Sequence, residues 1–124
     1  MPVVNLTLPK SMPVERRNAV SDAVHQALVS EFDAPPDGKF HIVATYDSEN
    51  LLRSDKFLGV NRGDDFMFVQ ITAMNARSDD QKRSFLRGLR SNLLASAGVK
   101  PQDLFVHILD TSSSNWFCLN QACN

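Results

Sequence analysis

The sequence is short of almost every feature that ties a protein to a specialised environment. No segment approaches the roughly 18 consecutive apolar residues of a membrane span, and the first thirty residues hold no uninterrupted apolar run. Neither charge is in excess: 13 Lys and Arg against 14 Asp and Glu leave a net charge of -1. Without a basic run the chain lacks the electrostatic footprint that nucleic-acid binding uses. Cysteine is nearly absent. Cys118 and Cys123 lie in the last seven residues with no second pair or histidine cluster, so they make no metal site and are read as free thiols. No serine or cysteine stands in a recognisable nucleophile elbow, which leaves a catalytic triad without support. These absences give the expectation of a cytoplasmic protein with neither membrane nor nucleic acid as partner, and 124 residues suffice for one domain, 1–124, with its own core.

What is present is a repeat. Displaced by 65 positions, the chain aligns with itself without a gap. Val3-Val4-Asn5-Leu6-Thr7-Leu8 falls on Phe68-Val69-Gln70-Ile71-Thr72-Ala73, and Val20, Val24 and Leu28 fall on Phe85, Leu89 and Leu93. Pro36 meets Pro101, and Phe40 meets Phe105. The halves run from about 2 to 47 and from about 65 to 110.

Each half reads strand, helix, strand. Residues 3–8 alternate as a strand does, Ser11 is placed to cap a helix whose first turn holds Pro13, and Val20, Ala23, Val24, Ala27 and Leu28 form one apolar stripe. Pro35, Pro36 and Gly38 end it before a second strand over 40–46. In the second half 66–74 is nearly all apolar, as in a central strand. Ser78 and Gln81 make a capping box, and Phe85, Leu86, Leu89, Leu93 and Ala97 form the stripe. Gly98 and Pro101 supply the stop, and residues 104–109 are the last strand. Between the halves lies a polar loop, 48–64, with a short strand around Leu51 and Leu52. The fold class is α/β (α+β): two β-α-β repeats forming a four-stranded mixed sheet with two helices on one face. The other face then needs a cover, and self-association is the simplest one.

Two residues suit chemistry. Pro2 follows Met1, and a small second residue permits removal of the initiator methionine. The result is a secondary amine fixed at the start of a strand. An α-amino group titrates near ~8, and burial or nearby cations lower that value, which suits a general base at neutral pH. Arg77 lies between a central strand and the Ser78 helix cap, where free backbone N–H groups and the helix dipole favour anions, and guanidinium pairs bidentately with carboxylates. Trp116 and Phe117 follow a Ser-rich turn and could wall a pocket. His25, His41 and His107 read as ordinary structural positions, Asp64, Asp65, Asp79 and Asp80 as turn and helix-start acids, and Arg16 and Arg17 as a solvated helix face.

Taken together, Pro2, the doubled β-α-β plan, Phe57-Leu58-Gly59-Val60, the strand Phe66-Met67-Phe68-Val69-Gln70-Ile71-Thr72, the Arg77-Ser78…Gln81-Lys82 helix start and Asn115-Trp116 resemble the tautomerase superfamily (the fold of macrophage migration inhibitory factor). The resemblance covers nearly the whole chain and points to the malonate semialdehyde decarboxylase branch. It implies a homotrimer with sheets facing inward, no cofactor, and a site around the N-terminal proline that takes a small carboxylate substrate. Pro2 would transfer the proton and Arg77 would hold the carboxylate, with Asn75 and Trp116 beside the substrate. The sequence departs from the decarboxylase in three places. Gly38 stands where that branch carries an aspartate, Asp37 being one position early. Asn75 replaces a second arginine, and Phe117-Cys118-Leu119 replaces a Ser-Phe-Gly run. These departures favour a cofactor-independent tautomerase of small 2-keto or enol acids; the alternatives are a hydratase or decarboxylase, and a non-catalytic trimeric scaffold.

Overall fold

The structure, a computed structural model, describes residues 2–118. Strand β1 (Pro2–Pro9), helix α1 (Val14–Phe32) and strand β2 (His41–Tyr46) form the first unit; β3 (Met67–Met74), α2 (Asp79–Ala97) and β4 (Leu104–Thr111) form the second. β3 and α2 are displaced from β1 and α1 by the same 65 residues that align the sequence with itself. The sheet runs β2-β1-β3-β4. Its outer pairs are parallel, and β1 and β3 meet antiparallel in the middle. This is the mixed four-stranded sheet with two helices that the pattern predicts.

Side-chain alternation decides which face carries the helices. Val4, Leu6 and Leu8 of β1 and Met67, Val69 and Ile71 of β3 point to one side. There they join Val20, Val24, Leu28 and Phe32 of α1 and Phe85, Leu89 and Leu93 of α2 in one core. The Phe32 and Phe85 rings lie 4.6 Å apart between the helices. Each such side chain contributes about 1.5–3 kcal/mol when fully buried. The opposite face presents Asn5 and Thr7 of β1 and Gln70 and Thr72 of β3 at its centre, so it is more polar there than expected. Its most exposed apolar side chains sit on the outer strands, Ile42, Phe105 and Leu109, with the half-buried Phe68 of β3 packed against Phe105.

The helix ends show where local signals succeed and fail. α2 opens with the expected capping box and closes at Gly98, whose φ of 62° is the left-handed conformation that a side chain disfavours. For α1 the N-cap is Pro13 and no side chain caps it, so Ser11 does not play the expected part. Arg17 instead ties the entry by donating to the carbonyls of Met12 and Lys10. Nor is Arg16 merely solvated: it donates to the last carbonyls of α2, Ala97 at 2.7 Å and Gly98 at 3.1 Å, and pairs with Asp65 at 2.9 Å. No strand forms around Leu51 and Leu52. The connecting loop holds two 3-10 turns, 48–50 and 57–59, and is pinned by Arg53 donating to the Gly63 carbonyl and by the Gly63 amide donating to buried Asp103. Cys118 is disulfide-bonded, which corrects the free-thiol expectation; Cys123 lies outside the described residues.

His41 connects β2 to α1, its Nδ1 lying 2.8 Å from the Ser21 hydroxyl. Burial, then the Lys39 charge and His25, lower its pKa from 6.5 to about 4, against a smaller opposing effect of Asp22. The unfolded chain therefore binds a proton that the fold refuses, and stability should fall as pH drops from about 6.5 toward 4. Urea titrations across this window should show a flatter dependence for His41→Gln than for the parent; equal slopes would contradict the assignment.

Candidate active site

Proline cannot donate to a ladder, so the first residue of a strand is where a sheet accepts it. Pro2 takes that position in β1, is buried, and lies opposite Ala73 of β3. On its other side Ala73 pairs with Asp110 of β4. Pro2, Ala73 and Asp110 thus form one row across three strands, spaced by about 4.8 Å per strand. The Asp110 carboxylate accepts from Lys82 Nζ, in the first turn of α2, at 2.6 Å.

Beyond Ala73 the chain leaves the sheet through Asn75, whose φ of 69° is left-handed and whose residue type is one of the few that tolerate it. The Asn75 side chain is exposed, and its amide donates to the Thr111 carbonyl at 2.8 Å. Arg77 comes two residues later and is half-buried. Its Nη1 donates to the carbonyls of Met74 and Asn75, each at 2.8 Å, and its Nη2 to the Phe32 carbonyl at 2.7 Å. The guanidinium carbon sits 5.1 Å from the Phe32 ring centroid. Arg77 thereby closes the C-terminal end of α1, as Arg16 closes that of α2. Three of its five N–H donors are engaged, which leaves Nε–H and one Nη2–H for an anion.

Trp116 approaches the same end of the sheet from the C-terminal side. Its Nε1 donates to Thr111 Oγ1 at 2.6 Å, and Thr111 Oγ1 donates to the Ala73 carbonyl at 2.8 Å. Pro2, Asn75, Arg77 and Trp116 are therefore linked through the end of β3. Asp37 and Phe117 are not drawn in: Asp37 is exposed in the turn after α1, and Phe117 is 92% exposed. At Gly38 an added Cβ would lie 3.3 Å from Pro35 Cβ and 3.4 Å from the Pro35 carbonyl oxygen, so a larger residue would press on that turn.

A cleft of about 760 Å³ opens elsewhere, beside Pro9, Lys10, Tyr46 and Arg53. It lies at the far end of β1, roughly 23 Å from Pro2 at the usual rise per residue. Lys10 pairs with Asp47 and Arg53 with Asp55, so much of its charge is already matched. Size alone does not make it the site of chemistry.

The sequence profile of a family described as tautomerase enzyme matches residues 38–117, and a second profile of the same description matches residues 2–61. The chain belongs to the tautomerase family. Two relatives from Bacillus subtilis (strain 168) match nearly end to end. The probable tautomerase YusQ is 23% identical over 116 residues, 94% of this chain and 91% of its own. The probable tautomerase YrdN is 26% identical over 123 residues, 98% and 95% of the two chains. Among solved structures, malonate semialdehyde decarboxylase superposes with a TM-score of 0.87 at 22% identity, covering 95% of this chain and 91% of its own. A symmetric trimer of fused 4-OT superposes with a TM-score of 0.78 at 18% identity, covering 95% and 92%. At these identities the two structures speak for the fold.

In this tautomerase fold, the tie that sequence reading misses is Thr111. No local motif marks it; only the register of β4 on β3 places its hydroxyl beside Ala73. The engagement of Arg77 carries a consequence for stability. Arg77→Ala should cost about 2 kcal/mol, since three carbonyls including the end of α1 lose a charged donor. Arg77→Lys should recover only part of this, having a point charge in place of a planar fork. Urea unfolding measures both, and an Arg77→Ala variant as stable as the parent would refute the tie.

Proposed function

We propose that the protein is a cofactor-independent tautomerase of small 2-keto or enol carboxylic acids, with Pro2 as the proton-transfer group. The observation that carries this reading is the buried position of Pro2 at the head of β1, opposite Ala73 and so beside the turn that bears Asn75 and Arg77. With Met1 removed, Pro2 is a secondary amine on a rigid strand, and burial favours its neutral, basic form. It takes the proton from the enol hydroxyl and returns it to the adjacent carbon, so an O–H bond breaks, a C–H bond forms and the carbonyl is generated.

The two unengaged donors of Arg77 bind the substrate carboxylate and steady the enolate charge that develops between these steps. Asn75 offers an amide from the same turn, and Trp116 supplies an apolar wall. Asp37 and Phe117 are left outside, since nothing ties either to the turn. The missing acid at Gly38 and the single arginine favour proton transfer alone over hydration or decarboxylation.

We further propose that the working unit is a homotrimer, with the Ile42, Phe105 and Leu109 face turned inward. Its support is the exposure of those residues and the trimeric assembly of the fused 4-OT neighbour.

Two measurements test these readings. Pro2→Ala should lower the tautomerisation of phenylenolpyruvate by at least about a hundredfold, the lower range for a general base. Unchanged turnover would end the proline mechanism. Sedimentation equilibrium should return the mass of three chains, and a monomer at micromolar concentration would end the assembly.

A further inference from the structure

Thr111 sits at the last position of β4 and, besides its place in the β3–β4 ladder, takes part in three hydrogen bonds, each of which reaches a different part of the site. Its carbonyl accepts from the Asn75 amide at 2.8 Å, fixing the left-handed turn that leads to Arg77. Its hydroxyl lies between the Trp116 indole at 2.6 Å and the Ala73 carbonyl at 2.8 Å. The direction of these two bonds is forced. An indole N–H can only donate and a carbonyl can only accept, so the Thr111 hydroxyl accepts from Trp116 and gives its one proton to Ala73. No other side chain type but serine, with the same hydroxyl, can do this at the same length. Ala73 in turn is the cross-strand partner of Pro2.

We infer that Thr111 is a positioning residue: it holds the Trp116 indole against the end of β3 and so sets the distance between the pocket wall and Pro2. That the wall meets substrate rests on the tautomerase reading above; that Thr111 holds the wall does not. Removing the hydroxyl leaves the Trp116 N–H without its acceptor, while the Ala73 carbonyl keeps only its place in the β3–β4 ladder. Trp116 is half-buried, so it would turn toward water to satisfy its N–H. The effect on catalysis falls on substrate placement and so on KM, while the proton-transfer group itself stays in place.

The chain has a single tryptophan, so its fluorescence reports this one tie. Thr111→Val keeps the β-branched shape that a strand prefers and deletes only the hydroxyl; Thr111→Ser keeps the hydroxyl and loses a methyl. We expect Thr111→Val to shift the emission to longer wavelength, to raise quenching by acrylamide, and to raise KM for phenylenolpyruvate about three- to tenfold with kcat within about twofold. Thr111→Ser should restore all three. Emission and quenching unchanged in a folded Thr111→Val variant would overturn the tie, whether or not the protein turns over any substrate. A shifted emission with unchanged KM, in a protein that does turn over, would overturn the positioning role. Thr111→Ser behaving like Thr111→Val would also overturn it, because the methyl and not the hydroxyl would then be what matters. An enzyme without turnover but with the expected emission changes would leave Thr111 as the holder of Trp116 and count against the proline chemistry instead.

Discussion

β1 and β3 meet antiparallel at the centre of the sheet, and the position of almost every other group follows from the register of that ladder. It sets Pro2 against Ala73 and Thr7 against Phe68, so the beginning of the chain lies at the exit of the second unit's central strand. The turn with Asn75 and Arg77 leaves the sheet there. β4, paired in parallel with β3, brings Asp110 and Thr111 to the same level. A slip of one residue would send Val4, Leu6 and Leu8 to the open face and remove them from the core beneath the helices. The apolar packing that stabilises the fold is thus also what brings the site's backbone into one place.

The two units are joined further by a pair of arginines. Each helix ends with carbonyls that lack partners within the helix. Arg77, ahead of α2, supplies donors to the end of α1, and Arg16, early in α1, supplies them to the end of α2. The exchange is approximate in sequence, since the two arginines are not equivalent by the 65-residue displacement. It explains why a single arginine near Pro2 has a fixed direction: its carbonyl partners hold the guanidinium in place before any ligand arrives. Such pre-organisation favours binding, because little side-chain freedom remains to be lost. Under the proposed function, stability and substrate binding would be coupled at Arg77.

The architecture could be read from the sequence because the repeat carries its own alignment. Apolar stripes at Val20, Val24 and Leu28 and at Phe85, Leu89 and Leu93 leave little freedom in the helices, and the Ser78–Gln81 box is a purely local signal that the structure reproduces. Ser11 was a local signal of the same sort but has no role as a cap, since Pro13 takes that position and Arg17 holds the preceding turn from within the helix. Arg16 and Arg17 resemble solvated side chains in any one-dimensional view, because their acceptors are carbonyls distant in sequence or chemically silent in it. The expected strand near Leu51 does not form, the polar segment running instead through a 3-10 turn over 48–50 into irregular loop. At the site, Pro2 and Arg77 could be singled out by chemistry and by resemblance. Thr111 could not, because its significance depends on how β4 registers on β3 and on where the chain turns after it.

The most direct measurement on the central claim is the titration of the Pro2 nitrogen, followed by NMR in protein labelled with 15N-proline. The account predicts one proline nitrogen that titrates as a free secondary amine, with its midpoint below the ~8 of an open α-amino group. A Pro2 nitrogen that does not titrate is an amide, and one with a midpoint well above ~8 is a poor base at neutral pH; either result would contradict the account.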